Sequence, residues 1–237
     1  MKRKIITTAD GSKTIHIEDW NEQYHSKHGA IQEAQHVFIK EGLQHYSANN
    51  KSTSVDILEI GFGTGLNAFL TLLEADNIKS KINYVGVEAY PVSMDDINQL
   101  NYVELISAEN ETVFNKLHTV SWEKEHEITS KFKLQKRQQF FSEIKDNNAF
   151  DLIYFDAFGA RVQPELWSKS IFEKMYKALK PNGVLVTYAA IGEVKRNMKA
   201  LGFMVERLKG PPGKRHMLRA TKKSVSYTHL RAHETKA

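Results

Sequence analysis

The sequence of 237 residues contains no cysteine. This absence excludes disulfides, thiolate metal sites and a cysteine nucleophile. A long hydrophobic run is also missing, because Glu59, Asn67 and Glu74 interrupt the longest apolar stretch. The basic N-terminus (MKRKIITTAD) lacks the apolar core of a signal peptide. The sequence therefore predicts a cytoplasmic protein without a membrane span.

The remaining composition is typical of a folded globular chain. Hydrophobic residues make up 41% and charged residues 26% of the sequence, which is enough for one domain with a sizeable core. The formal net charge of +5 permits a polyanionic partner without requiring one.

Strand-like and helix-like segments alternate along the chain. VDILEI, KINYVGVEAY, FDLIYFDAF and GVLVTYAA have strand character, and helical patterns separate them. This alternation predicts an α/β fold with a mostly parallel sheet and helices on both faces. We expect residues 1–50 to form a hairpin and a helix packed on the core, with Gly42 as a kink or stop of that helix. Residues 51–223 should form the core domain, and residues 224–237 a non-native or disordered tail.

A glycine-rich turn lies in the segment ILEIGFGTGLNAFLTLLEA. Gly61, Gly63 and Gly65 would let the backbone approach a ligand closely at the start of a helix. A dinucleotide fingerprint places its last glycine where this chain has Leu66. Glu88 ends the next strand pattern, 23 residues beyond Gly65 (88 − 65), at a position suited to ribose hydroxyls.

Together, the E-x-G-x-G-x-G turn and the strand-end acid resemble those of class I S-adenosylmethionine-dependent methyltransferases, whose cofactor has no pyrophosphate. The resemblance implies a Rossmann-like fold and S-adenosylmethionine as the cofactor. Asp156 follows the apolar pattern DLIYF, so its carboxylate should project at the carboxyl edge of the sheet, where α/β proteins bind ligands. The structural alternatives are a plain turn at the glycines and a helix cap or turn at Asp156.

Two further segments are more specific. DAFGARVQPELWSKSIFEKM and GVLVTYAAIGEVKRNMKALGFMVERLKGPPGKRHMLRA resemble the bacterial tRNA 5-methylaminomethyl-2-thiouridine methyltransferase family, and the likeness extends from EQYHSKHGAIQEAQHVFI to about Thr221. It implies S-adenosylmethionine-dependent methylation of 5-aminomethyl-(2-thio)uridine at the tRNA wobble position. Many family members carry a fused FAD-dependent oxidase, which does not follow here. The resemblance therefore implies a stand-alone methyltransferase that acts after a separate enzyme has made the precursor, and nothing in the sequence requires more than a monomer.

The resemblance also assigns roles to individual residues. Asp156 would lie at the methyl acceptor as the catalytic residue, and Glu88 would bind the cofactor ribose. Tyr24, Ser26 and Phe158 would contact the substrate. The other cofactor-binding positions are expected at Glu59, Gly61, Phe62, Gly63, Thr64, Gly65 and Asn67.

The chain departs from the family pattern at two positions. Where the family has an acid near the end of the fourth strand, this chain has Gln139, whose amide oxygen can still accept from the adenine amino group. We therefore expect weakened rather than lost cofactor binding. His216 stands where the family pattern GKRE has its acid, so the role of that acid is unfilled.

Methyl transfer from a sulfonium to an amine requires a neutral amine. Asp156 has two possible roles, to orient the amine by accepting its N–H or to receive its proton. The sequence favours the orienting role, because an ordinary aspartate is a weak base. Methylation of a pyrimidine ring carbon commonly uses a cysteine adduct, which this chain cannot form, whereas attack by an exocyclic nitrogen needs none.

Positive charge is concentrated in the last quarter of the chain. We expect contacts to tRNA from Lys195 and Arg196 on a predicted helix, and from Lys214 and Arg215 beside the GPPG turn. Such residues supply affinity for phosphates without sequence information. For any single one of these residues, the alternative to a tRNA contact is a position on a solvated surface.

Two other functions are open from the sequence. A polyamine (spermidine) synthase also combines a glycine turn with strand-end acids, although Arg161 stands near the place of that family's second acid. A non-catalytic RNA-binding domain would result if Gln139 abolished cofactor binding. No metal site is expected, since His25 and His28 have no carboxylate to complete a ligand set.

Overall fold

A computed structural model describes residues 2–224, and the predicted tail lies outside them except for its first residue. The strands are β1 (Arg3–Thr7), β2 (Lys13–Ile17), β3 (Glu22–Gln23), β4 (Ser54–Ile60), β5 (Lys81–Val87), β6 (Glu125–Thr129), β7 (Phe132–Arg137), β8 (Phe150–Phe155), β9 (Leu179–Thr187), β10 (Phe203–Lys209) and β11 (His216–Lys222).

The α-helices are α1 (Ala30–Ala34), α2 (His45–Asn49), α3 (Leu66–Ile78), α4 (Met94–Ile97), α5 (Tyr102–Ile106), α6 (Glu111–Thr119), α7 (Lys169–Ala178) and α8 (Gly192–Ala200). A π-helical segment (Gln35–Gln44) joins α1 to α2. Short 3-10 turns lie at Glu18–Trp20, Ala108–Asn110, Phe141–Glu143 and Pro164–Trp167. Within residues 2–224, none of the helices has both the length and the apolar character needed to span a membrane.

The large sheet has eight strands in the order β10-β11-β9-β8-β4-β5-β7-β6. The five central strands, from β9 to β7, are parallel. At the edges the pairing is antiparallel: β6 pairs with β7, β11 with β9, and β10 with β11, so β10 runs in the same direction as the central strands. The chain leaves β4 toward β5 on one side and later places β8 on its other side. The carboxyl ends of these three strands therefore meet at the switch point of the sheet, where α/β folds bind ligands. This topology confirms the predicted Rossmann-like fold.

The central strands are buried because helices cover both faces of the sheet. All six residues of β8 (FDLIYF) are buried, and the five apolar ones divide between two hydrophobic clusters on opposite faces. A near-continuous apolar run is the pattern expected for a parallel strand that is covered on both sides. The side chain that follows this run is Asp156, which is thereby placed at the carboxyl edge.

The predicted N-terminal hairpin is present as β1 and β2, and β3 completes a small antiparallel sheet. Asn101, in the segment after β5, ties this sheet to the core. Its Oδ1 accepts from the Lys13 backbone N–H at 2.7 Å and its Nδ2 donates to the Gly11 carbonyl at 3.0 Å. Arg3 adds an ion pair to Asp96 at 3.0 Å. The small sheet is thus anchored beside the carboxyl end of β5.

The expectation that Gly42 stops its helix is wrong, whereas the alternative, a kink at this residue, stays a prediction. Helical structure continues through this residue to Asn49. A Cβ atom at Gly42 would lie 3.0 Å from Val186 Cγ2 and 3.3 Å from Tyr154 Cε1. The glycine therefore permits close packing of the helix on β8 and β9, a tertiary reason that the local pattern does not contain.

Candidate active site

Gly63, Glu88 and Asp156 line one cavity of about 1000 Å³. They follow β4, β5 and β8, and they meet because β4 pairs in parallel with both of its neighbours. Residues of the N-terminal sheet and of the segment after it, including Tyr24 and Ser26, also line this cavity. The three residues that the sequence places at the ends of strands therefore lie in the same cavity.

The glycine turn has a backbone conformation that other residues rarely adopt. The φ angles of Gly61, Gly63 and Gly65 are 90°, 50° and 71°. At Gly61 a Cβ atom would lie only 2.7 Å from the Asp156 backbone oxygen, and the Gly61 N–H donates to the Val87 carbonyl at 3.0 Å. The turn is thus held between the ends of β5 and β8, with its backbone facing the cavity.

Glu88 is connected directly to this turn. One of its carboxylate oxygens accepts from the Gly63 N–H at 3.1 Å, and the other accepts from the Tyr90 N–H at 3.0 Å. Burial raises the pKa of Glu88, and these N–H donors partly offset the rise. Each oxygen keeps a further lone pair, so the carboxylate can still accept from ribose hydroxyls.

Asn67, near the start of α3, connects two acids. Its Nδ2 donates to Glu59 Oε1 at 2.9 Å and to Asp156 Oδ2 at 2.8 Å. Its Oδ1 is buried and has no hydrogen-bond partner among the described residues, so it can accept from a ligand amine. Glu59 does not line the cavity, and burial raises its pKa well above the ordinary value. Glu59 therefore acts on the site by fixing the Asn67 amide.

Burial, and to a smaller extent the charge of Glu33, raise the pKa of the Asp156 carboxyl to about 7. This value already includes the opposing effects of the hydrogen bond from Asn67 and the charge of Lys214, which lower the pKa. The sequence-based preference for an orienting role assumed an ordinary aspartate. In this environment Asp156 is a much stronger base, so receiving a proton becomes chemically reasonable.

Glu33 is a site residue that the sequence analysis did not identify. It is 4% exposed on α1, lines the cavity, and forms an ion pair with Lys214. Its Oε1 also accepts from the Ser26 N–H at 3.3 Å. The sequence contains a signal for this residue. Glu33 shares the apolar helix face of Ala30 and Ala34, and a carboxylate on such a face needs a buried partner.

The predicted substrate residues separate into two groups. Tyr24, Ser26, Phe158 and Lys214 line the cavity, and the Lys214 ammonium lies 3.8 Å from the centre of the Tyr188 ring. The other three do not line it. Arg215 is exposed beside the 210–213 turn, and Lys195 and Arg196 lie on α8.

Two predicted cofactor residues lie behind the glycine turn rather than on the cavity wall. Thr64 is buried, and its hydroxyl pairs with His25 Nε2 at 2.9 Å. Gly65 packs against His118, since a Cβ atom there would lie 2.8 Å from His118 Cε1. Both residues support the turn, whereas Phe62 lines the cavity as predicted from the sequence.

Gln139 does not line the main cavity. It borders a separate hollow together with Arg137, Glu143, Lys145 and Asp146. The following residues of the same loop, 140–142, line the main cavity instead. Recognition of adenine by the Gln139 amide therefore stays a prediction, and the direction taken by the loop does not favour it.

Among residues 2–224, no group of three or more His, Asp or Glu side chains is arranged to hold a metal ion. Burial lowers the pKa of His25 to about 4, so this residue is neutral and serves as a hydrogen-bonding partner of Thr64. His28 is exposed and packs against the 210–213 turn, where a Cβ atom at Gly213 would lie 2.0 Å from its Cδ2.

These features fit S-adenosylmethionine. The turn offers exposed backbone without side chains at Gly61 and Gly63, Glu88 offers acceptors for hydroxyls, and Asn67 offers a free buried acceptor for an amine.

Known proteins resemble this chain in sequence and in fold. The profile of a family described as S-adenosyl-L-methionine-dependent methyltransferase matches residues 102–223. The tRNA 5-methylaminomethyl-2-thiouridine biosynthesis bifunctional protein MnmC of Marinomonas sp. (strain MWYL1) is 30% identical over 227 residues, which cover 85% of this chain and 31% of that protein. The chain spans about a third of the length of the curated relatives it matches.

Two solved structures share the fold. MNMC2 from Aquifex aeolicus aligns with a TM-score of 0.77 at 23% identity, over 94% of this chain and 71% of that one. Spermidine synthase from Thermotoga maritima aligns with a TM-score of 0.54 at 14% identity, over 95% of this chain and 75% of that one. At these identities the likeness shows the fold alone. Together with the family profile, these matches confirm the fold class and the resemblance found in the sequence.

Proposed function

The chain belongs to the S-adenosyl-L-methionine-dependent methyltransferase family, and on that premise we propose that it methylates the amino group of 5-aminomethyl-(2-thio)uridine at the wobble position of tRNA. The product would be the methylaminomethyl nucleoside. The observation that carries this proposal is the placement of Asp156, a carboxyl with a pKa of about 7, in the same cavity as the glycine turn and Glu88. As a tRNA modification enzyme the protein would act in the cytoplasm.

S-adenosylmethionine supplies a methyl group on a positively charged sulfur, which is open to attack by a nitrogen lone pair. Gly61, Phe62, Gly63 and Asn67 would hold the methionine part of this cofactor, and Glu88 its ribose. These residues fix the position of the cofactor, and alignment of the two reactants can supply roughly 7–11 kcal/mol of the barrier.

Asp156 would prepare the acceptor amine. An amine with a lysine-like pKa of about 10.4 transfers its proton to an ordinary aspartate at a cost of roughly 9 kcal/mol. For a carboxyl with a pKa of about 7 the same transfer costs roughly 5 kcal/mol, and burial of the ammonium lowers the cost further. We therefore assign Asp156 the role of proton acceptor, in addition to orienting the amine.

The pH dependence of the reaction should depend on Glu33. Methyl transfer needs ionised Asp156, so kcat/KM for tRNA should rise as the pH increases through about 7. Glu33→Gln removes a negative charge that raises the pKa of Asp156, so the acidic limb of the profile should move to lower pH. Rates measured between pH 5 and 9 at saturating cofactor test this expectation.

Glu41→Gln is the matched control for this measurement. Glu41 also pairs with a buried cation, Arg219, at 3.0 Å, but it does not line the cavity. Its pH profile should coincide with that of the unaltered protein. If the acidic limb of the profile does not move in Glu33→Gln, Glu33 does not raise the pKa of Asp156.

Contacts to tRNA phosphates would come from the rim of the cavity. Lys214 is engaged by Glu33 within the site, whereas the neighbouring Arg215 is exposed and forms no ion pair with the described residues. We predict that Arg215→Ala weakens tRNA binding at low salt and reduces the slope of log K against log salt by about one. Filter binding across a salt series measures both quantities. An unchanged slope would mean that Arg215 contacts no phosphate.

The proposed reaction is tested with labelled S-adenosylmethionine and tRNA from a strain that accumulates the aminomethyl nucleoside. Label should appear in the methylaminomethyl nucleoside after digestion and chromatography. A parallel reaction with the decarboxylated cofactor and a diamine tests polyamine synthesis. Cofactor binding by calorimetry without transfer to either acceptor would reject the proposed substrate, and absence of cofactor binding would favour a non-catalytic RNA-binding domain.

A further inference from the structure

Three half-buried aromatic side chains form a cluster on the cavity wall. Trp20, Tyr24 and Phe158 all line the cavity. The Trp20 and Phe158 ring centres lie 5.6 Å apart at an interplanar angle of 83°, and those of Tyr24 and Phe158 lie 4.9 Å apart at 76°. Trp20 and Tyr24 thus both stand nearly perpendicular to the Phe158 ring, and each ring is partly open to the cavity.

The aromatic cluster joins two distant parts of the chain, and two hydrogen bonds hold the loop that carries Phe158. Trp167 Nε1 donates to the Phe158 carbonyl at 2.7 Å, and the Tyr188 hydroxyl donates to the Ala157 carbonyl at 2.8 Å. These bonds fix the loop that begins at Asp156. The Phe158 ring is therefore held two residues from the catalytic carboxyl.

Arg161 connects the same loop to the segment that carries Trp20. Its Nη2 donates to the Trp20 carbonyl at 3.2 Å and the Asn21 carbonyl at 3.1 Å, and it pairs with Glu22 at 3.2 Å. In the sequence, Arg161 stands near the place of the second acid of polyamine synthases. In the structure it helps to hold Trp20 beside Phe158.

An unsatisfied acceptor lies near this cluster. Gln23 lines the cavity, and its Oε1 is buried without a hydrogen-bond partner among the described residues. This oxygen is closed off from the open cavity, so the aromatic rings are the groups that a ligand can contact here. A uracil ring presents flat faces that stack on aromatic side chains.

We propose that Trp20, Tyr24 and Phe158 form the subsite for the unstacked pyrimidine ring of the target nucleoside. This proposal rests on the proposed function, because a nucleoside in a tRNA loop must leave its stack before a group on its ring can reach an enclosed site. Trp20 and Tyr24 of the N-terminal segment then contribute to the substrate side of the cavity, and the Tyr24 ring also packs beside Gly63 of the glycine turn.

Trp20→Ala tests the subsite without touching the glycine turn. Loss of one base–aromatic stack should lower kcat/KM for tRNA by about 5- to 150-fold, mostly through KM. The affinity for S-adenosylmethionine, measured by calorimetry, should stay unchanged and also reports correct folding. Trp20→Phe should recover most of the lost kcat/KM, and Met204→Ala, which removes an exposed side chain outside the cavity, should have no effect.

Fluorescence gives a readout that does not need methyl transfer. The chain has three tryptophans, so quenching by an anticodon stem-loop that carries uridine at the wobble position can be compared between the unaltered protein and Trp20→Phe. The unaltered protein should be quenched, Trp20→Phe much less, and a stem-loop that lacks the wobble base should quench neither.

The two readouts separate the subsite from the proposed reaction. An unchanged KM and equal quenching by the complete and abasic stem-loops would overturn the subsite. A fall in cofactor affinity equal to the fall in kcat/KM would assign the cluster to the cofactor instead. If the unaltered protein modifies no tRNA, the proposed reaction fails, while base-dependent quenching lost in Trp20→Phe would still support a pyrimidine subsite.

Discussion

Replacing Asp156 by asparagine is expected to lower kcat for methyl transfer by about 10²- to 10⁴-fold, the range typical for loss of a proton-transferring group. Asparagine has the same shape, and its carbonyl can still accept from Asn67 Nδ2, which contacts Asp156 at 2.8 Å. The cavity should therefore keep its form and its affinity for S-adenosylmethionine. What the variant loses is the negative charge and the ability to take a proton.

The same variant should be more stable than the unaltered protein at neutral pH. Asp156 has a folded-state pKa of about 7 and an ordinary value of 3.8. Between these values the unfolded chain is ionised while the folded protein still carries the proton, so the contribution of Asp156 to stability is lost as the pH rises through this window. A shift of this size corresponds to roughly 4 kcal/mol for an enclosed group. Because the cavity reaches solvent, we expect a gain of about 1–3 kcal/mol for Asp156→Asn above pH 7.

Single-turnover rates, calorimetric titration with the cofactor, and urea unfolding at pH 5 and pH 8 test both expectations. The stability difference between the two proteins should be larger at pH 8 than at pH 5. A variant that turns over at the parental rate would contradict the catalytic role. A stability difference between the two proteins that is the same at both pH values would contradict the raised pKa and return Asp156 to the orienting role.

The sequence predicts the positions that follow from local pattern and strand order. Gly63, Glu88 and Asp156 each follow an apolar strand run, and parallel pairing of neighbouring strands suffices to bring them to one edge. This explains why the fold and the cofactor side of the site could be read from short segments. Cofactor contacts by individual residues of these segments stay predictions.

The substrate side of the cavity could not be read in this way. Glu33 pairs with Lys214 across 181 positions of the chain, and Arg161 reaches Trp20 across 141. Such contacts depend on how the N-terminal sheet packs on the core. The hydrophobic periodicity of a single helix or strand does not encode this packing. Gln139 shows the opposite limitation, because its position in the motif was clear but the residue borders a different hollow.

The glycine turn provides the second large effect, and Gly61→Ala is expected to destabilise the protein by about 3–5 kcal/mol. A non-glycine residue with a positive φ costs roughly 1–2 kcal/mol. The larger part comes from the Cβ atom, which would lie 2.7 Å from the Asp156 backbone oxygen. Either the end of β4 or the end of β8 must shift, because both contacting groups belong to the scaffold rather than to a flexible side chain. With a stability of about 5–15 kcal/mol, typical of a folded domain, the variant should remain mostly folded.

The shift of the end of β4 or β8 in Gly61→Ala should also weaken the binding of S-adenosylmethionine by about 10- to 100-fold, since small misplacements of a preformed site have effects of this size. Gly11→Ala is a matched control, because Gly11 also has a positive φ, 83°, but a Cβ atom there would meet nothing within 4 Å. This control should lose only the conformational contribution of about 1–2 kcal/mol and keep the parental cofactor affinity. Urea unfolding and calorimetric titration of both variants separate the clash from the backbone conformation. Equal losses of stability in the two variants would mean that Gly61 is required for its φ alone, and that the ends of β4 and β8 can separate without cost to the site.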